Sequence, residues 1–390
     1  MKPLSRNLTL FVGAVLVLGA CSKGPTAGSA SGSSAAAASG VDLTAVTKVY
    51  NDAKAVPTFT PPGPAFDASK ARGKKIFYIP LSSADVFDSL ITQASVRAAQ
   101  SAGVNITVYA NQGQPSEWVQ GMNTAISQKA DLIVLEGAPD TALLVPQIDA
   151  AKRAGIAVVS THLYDSSYVS AALAKYPGLA AIVPANHYLG GALMADSAIV
   201  NSGGKVNALF LTSNEVQPAA GIAQAFKDEL AKYCPATCKV NTQNIPLTDW
   251  ATKIPGTVQS ALIRDPSINY VVPVFDGMTQ YIAAGVTQSG ASNRIHVSAY
   301  NGTASVLQML QRKNIVVSDA GEPTEWLGYA DIDQALRILS GVSPLATEKT
   351  PLRIFDSSNV SEAGQPAVQT KGYGDTQSMI DGYKKLWGLG

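Results

Sequence analysis

Little in this chain of 390 residues points to bond-making chemistry. It carries three histidines and three cysteines, and His162, His187 and His296 have no metal-ligand spacing, so no zinc site is expected. The Walker loop, GxGxxG, GxSxG and HExxH patterns are all missing, which leaves phosphate-cradling, serine-hydrolase and zinc-protease chemistry without a signal. The expectation is therefore no enzyme, no metal and no cofactor. Charge of one sign is missing too: 29 Lys and Arg stand against 28 Asp and Glu, with no basic stripe. Nucleic acid is thus not an expected partner, and a neutral or small ligand fits better.

No apolar run is long enough for a membrane span. The longest opens the chain, where Lys2 and Arg6 precede Leu8 to Leu18 in the manner of an export signal. It closes on Leu18-Gly19-Ala20-Cys21, which resembles a bacterial lipobox. That resemblance implies acylation of Cys21 and a chain tethered to a membrane without crossing it, in the periplasm or at the cell surface. Ser, Ala and Gly then dominate to Gly40, a composition unable to bury enough apolar surface to fold. Residues 41–55 suit a short helix and the prolines at 57, 61, 62 and 64 enforce extension. The whole of 22–72 is read as a flexible linker.

What is abundant is alternation of short apolar runs with helical patterns. Asp131 to His162 shows it best. Leu132 to Leu135 is too short and too continuous for an amphipathic helix and reads as a strand buried on both faces. Glu136-Gly137 ends it, Pro146 suits a first helical turn, Gly155 stops the helix, and Ile156 to Val159 is a second strand. A right-handed crossover places both carboxyl ends, Glu136 and Ser160-Thr161-His162, on one sheet edge, where open parallel sheets bind ligands. The rhythm predicts ten strands, near residues 76–79, 104–108, 132–135, 156–159, 181–183, 206–211, 240–245, 270–274, 295–299 and 315–317. So many strands imply an α/β protein of two doubly wound parallel-sheet lobes.

Cys234 and Cys238 are the remaining thiols. In an exported chain they are expected to close a small disulfide loop, with Pro235 favouring the turn, since the CxxC redox spacing is absent.

Several segments together resemble the solute receptors of ABC importers, in the periplasmic-binding-protein type I branch related to ribose-binding protein. They are DLIVLEGAPD with AKRAGIAVVSTH, VPANHYLGG, RDPSINYVVPVFDGMTQYIAAGV, and HVSAYNG with VVSDAGEPTEWLGYADIDQALRILSG. The resemblance implies two lobes joined by a three-segment hinge, 73–184 plus 322–350 and 185–321 plus 351–375, followed by a C-terminal helix at 376–390. It further implies a monomer that closes over a sugar, polyol or similar hydroxylated solute and delivers it to permease and ATPase subunits. Two alternatives remain: a receptor for a sensor kinase or chemoreceptor, and a membrane-tethered hydrolase.

The same resemblance carries ligand contacts onto the loops after strands. Ser83, Asp85 and Phe87 follow the first strand, where Asp85 reads equally well as a helix cap. Glu136 and His162 end the third and fourth. Asn214 and Glu215 stand where relatives often carry an arginine on the next helix, which disfavours a strongly anionic ligand. Asp276 matches a recurrent family aspartate and Asn301 the ligand-binding aspartate position. Glu322 and Trp326 lie at the second hinge crossing, where Trp326 reads equally as lobe core.

Overall fold

Helix α1 (Thr44–Asp52) begins the described part of the chain, and its apolar spacing sets Val46 and Tyr50 on one buried face. The computed structural model describes residues 41–137 and 139–389. The export signal, Cys21 and residues 22–40 lie outside them. Residues 41–72 are not the spacer expected. Val46 and Tyr50 join the core of the second half of the chain, and Phe59 and Phe66 pack against the core of the first. Four apolar anchors held by long-range partners order a stretch whose prolines alone would leave it solvated.

Five apolar runs of the first half form one parallel sheet: β1 (Lys75–Pro80), β2 (Asn105–Val108), β3 (Leu132–Glu136), β4 (Ala157–Asp165) and β5 (Ala181–Ala185), in the order β2-β1-β3-β4-β5. Between them run α2 (Val86–Ser101), α3 (Pro115–Ser127), α4 (Val145–Arg153) and α5 (Val169–Lys175). Asp85 starts α2 by accepting from the backbone amides of Phe87 and Asp88, satisfying donors that a helix leaves free.

The second half begins with α6 (His187–Ser202) and continues β6 (Asn207–Thr212), α7 (Ala219–Tyr233), β7 (Lys239–Asn244), α8 (Trp250–Arg264), β8 (Tyr270–Pro273), α9 (Thr279–Gln288), β9 (Val297–Asn301), α10 (Ala304–Gln311) and β10 (Val316–Gly321). Strands β7-β6-β8 are parallel, β9 and β10 are parallel, and a parallel bridge from Tyr270 to His296 joins the two groups. All ten expected strands are present, in the α/β parallel-sheet architecture that was expected. An eleventh, β11 (Arg353–Asp356), pairs antiparallel with β10. A disulfide joins Cys234 to Cys238 just after α7.

Two helices late in sequence return to the first sheet. Helix α11 (Thr324–Leu339) lies against α2, and α12 (Thr376–Leu386) covers it with Met379, Tyr383 and Leu386, followed by Trp387. A buried ion pair anchors them: Arg337 Nε donates to Asp333 Oδ2 at 2.7 Å, and Trp387 Nε1 donates to Asp333 Oδ1 at 2.6 Å. No helix among the described residues is long and apolar enough to cross a membrane.

Candidate functional site between the sheet edges

Parallel strands present their carboxyl ends together, so the loops after β1, β3 and β4 share one edge of the first sheet and those after β6, β8 and β9 one edge of the second. Two residues at these edges have backbones that side chains rarely adopt. His162 in β4 has φ +58° and Asn301, closing β9, has φ +126°. His162 coincides with a break in the β4–β5 register between Thr161 and Asp165, the kind of bulge that re-aims a side chain. Left-handed backbone at non-glycine residues persists only where surrounding contacts fix it.

Here one buried carboxylate touches both side chains. Glu322 follows β10 and is 1% exposed. Its Oε1 lies 3.1 Å from His162 Nε2, and its Oε2 accepts from Asn301 Nδ2 at 2.9 Å. His187, at the start of α6, extends the chain of contacts: Nε2 lies 3.0 Å from the His162 carbonyl and Nδ1 lies 3.2 Å from the Tyr300 hydroxyl. The Phe87 ring lies 5.3 Å from the His162 ring. Asp276 holds the Asn301 loop in place, since its backbone amide donates to Asn301 Oδ1 and its Oδ2 accepts from both the amide and the hydroxyl of Thr303 at 2.7 Å.

The charges of these groups follow from their neighbours. Burial works against an ionised Glu322, but the charge and hydrogen bond of His162 reverse it and hold the carboxyl below its ordinary range. Burial likewise disfavours a charged His162, and Glu322 overrides it, raising the imidazole. His187 has no such partner; burial and the nearby His162 push it down to about 4. Asp276 and Asp331, both enclosed, are pushed up to about 7 by burial. Glu136 is fully buried, and neither of its oxygens has a hydrogen-bond partner.

Of the residues expected at the site, the structure brings together Phe87, His162, Asp276, Asn301 and Glu322. Others are engaged elsewhere. Ser83 ties its loop to Asn111 through two hydrogen bonds, and Asp85 caps α2. Asn214 is exposed and donates its amide to Asn244, while Glu215 accepts from the amide of Leu247. Trp326 is core, 5.7 Å from the Phe59 ring and packed with α12.

Beside His187 lies a cavity of about 310 Å³, lined also by Asp165, Tyr168, Tyr188, Gln217 and Gln224. It draws on the end of β4, the start of α6 and the loop leading into α7, and so on both sheet edges. Asp165 Oδ2 accepts from the Tyr188 amide at 2.9 Å. The hydroxyls of Tyr188 and Tyr168 are 2.9 Å apart, and their rings meet at 85° with centroids 5.7 Å apart. Gly221 makes room, since a Cβ there would come within 1.9 Å of the Tyr188 ring. None of these six residues was singled out as a ligand contact from sequence. The available signals were the paired rings of Tyr168 and Tyr188 and a glycine inside a helix.

A family model described as periplasmic binding protein domain matches residues 76–343. The chain belongs to that family. Solved structures of similar fold include an ABC transporter solute-binding protein from Agrobacterium vitis bound to α-D-tagatopyranose. It shares 24% identity over 76% of this chain and 99% of its own, with a TM-score of 0.66. One from Bacillus halodurans C-125 with bound myo-inositol shares 14% identity over 76% and 99%, TM-score 0.65. One from Actinobacillus succinogenes 130z with bound D-allose shares 17% over 74% and 99%, TM-score 0.64. No curated protein matches. In periplasmic binding protein terms, the His162–Glu322–Asn301 contacts and the adjoining cavity lie where strands of both sheets end.

Proposed function

We propose that this chain is the solute receptor of an ABC importer, capturing a sugar, polyol or similar hydroxylated solute between two closing lobes. The observation that carries the reading is the hydrogen-bonded bridge from His162 through Glu322 to Asn301, which joins the ends of strands from both sheets. The lobes are residues 73–184 plus 322–350 and 185–321 plus 351–375. A direct tie between the first and third crossings supports this division: Asn186 Nδ2 donates to the Thr350 carbonyl at 2.5 Å. The sugars and the polyol held by the solved structures of similar fold support the ligand class.

Binding here requires no bond-making step. Hydroxyl groups donate to Asn301 and Glu322 and accept from the His162 ring, so a solute touching both edges favours the closed form by its differential contacts. Permease and ATPase subunits then read closure. An acyl group at Cys21 keeps the receptor at the membrane.

A thermal-shift screen of sugars, polyols, inositols, amino acids and nucleosides tests the reading. A true ligand at a hundredfold excess over its Kd adds about 2.7 kcal/mol of stability. Recovery of the hit unchanged supports a receptor; its consumption identifies an enzyme instead.

A further inference from the structure

The cavity beside His187 has walls of a particular character. Tyr168 and Tyr188 meet edge to face at 85° and put two aromatic rings in one corner of the wall. The Asp165 carboxylate shares that corner, held in place by the amides of Ser167 and Tyr188. Gln217 and Gln224 add amide groups. No lysine or arginine lines it, and its one imidazole, His187, is kept neutral near pH 7 by burial and by His162.

We propose that this cavity selects hydroxylated solutes bearing a positive charge, such as an amino sugar or amino polyol, over their neutral parents. An ammonium set over an open ring face in this corner meets the ring quadrupole, which attracts cations. The same ammonium donates to the Asp165 carboxylate, a charge-assisted bond stronger than a neutral one. Hydroxyls on the rest of the solute reach the glutamine amides and the His162–Glu322–Asn301 bridge. An anionic solute meets carboxylates with no compensating cation in the wall, so the site works against it as well as for the cation. This inference rests on the receptor reading and narrows its substrate class.

Calorimetry on the full chain with matched pairs tests it: D-glucose with D-glucosamine, D-galactose with D-galactosamine, and myo-inositol with an aminodeoxyinositol. In at least one pair the amine binds about tenfold tighter or more. Asp165→Asn keeps an acceptor for the Tyr188 amide, so it removes the charge with little change of shape, lowers the amine's affinity by a larger factor than the parent's and abolishes the advantage. Tyr168 is 48% exposed, so Tyr168→Leu leaves folding intact, and it weakens the amine more than the parent. If neutral parents bind as well as or better than amines, or if Asp165→Asn leaves the advantage in place, the charge selection is overturned and the receptor reading stands. If no member of any pair binds, the charge selection is overturned, and the receptor reading is decided by the wider solute screen.

Discussion

Glu322 Oε1 lies 3.1 Å from His162 Nε2 although the two residues leave strands of different sheets. A carboxylate in that position joins the sheet edges and also sets the ionisation of its partner. Glu322→Ala leaves His162 and Asn301 without their acceptor, and breaking a buried ion pair from one side costs about 3–5 kcal/mol. The expected result is a lowered urea midpoint together with loss of solute affinity. Glu322→Gln keeps one oxygen for Asn301 and gives a smaller stability loss with a similar loss of affinity. Unchanged affinity in both variants removes Glu322 from the site.

Stability against pH separates the two histidines. His162 is raised above its ordinary 6.5, so its contribution is complete below pH 6.5 and is lost as pH rises through the raised value. Glu322 is lowered from 4.5, so its contribution is present above pH 4.5 and disappears as pH falls through the lowered value. His187 is held at about 4 rather than 6.5; the folded state favours its neutral form, and that contribution is lost as pH falls from 6.5 towards 4. Melting temperatures over this range check the assignment. His162→Gln flattens the decline on the alkaline side, and His187→Gln flattens the one between pH 6.5 and about 4.

Gly221 isolates the Tyr188 wall from the rest of the fold. Alanine inside a helix ordinarily stabilises by about 1 kcal/mol relative to glycine, but here its Cβ falls within 1.9 Å of the Tyr188 ring. The ring must shift, so Gly221→Ala leaves stability within about 1 kcal/mol of the parent protein and weakens solute binding about tenfold. Equal affinity by calorimetry excludes Tyr188 from the contact.

The repeated strands were legible because parallel strands covered on both faces are continuous apolar runs, as in Leu132 to Leu135. Strand β11 was not, since Arg353-Ile-Phe-Asp is short, carries charge at both ends and acquires its role only by pairing with β10. The packing of residues 41–72 was hidden for a related reason: Val46, Tyr50, Phe59 and Phe66 are widely spaced and find their partners far along the chain. At the site, residues on strand ends such as His162 and Asn301 follow from topology. The Tyr188 and Gln224 wall does not, because its direction depends on how α6 and α7 pack. Trp326 was ambiguous because α11 is buried on nearly every side, so helical spacing does not say which face meets a ligand.

The amino-terminal helix gives a stability test independent of binding. Tyr50 is 3% exposed, and its hydroxyl donates to Oδ2 of Asp356, the last residue of β11, at 2.8 Å. Tyr50→Ala removes a buried ring and costs about 3–5 kcal/mol. Tyr50→Phe loses only the hydrogen bond and costs about 1 kcal/mol, since Asp356 keeps Lys54 and Ser358 as partners. Urea unfolding measures both, and a silent Tyr50→Ala means that this segment is a loose spacer after all.

A solute held by loops from both sheets at once protects both sets of loops together. Hydrogen–deuterium exchange with and without a saturating hit from the solute screen tests it most directly. The expected result is slowed exchange in 162–168, 217–224, 301–303 and 319–322 together, with the faces remote from these edges unchanged. Protection confined to the loops of one sheet, or none despite a raised melting temperature, contradicts it.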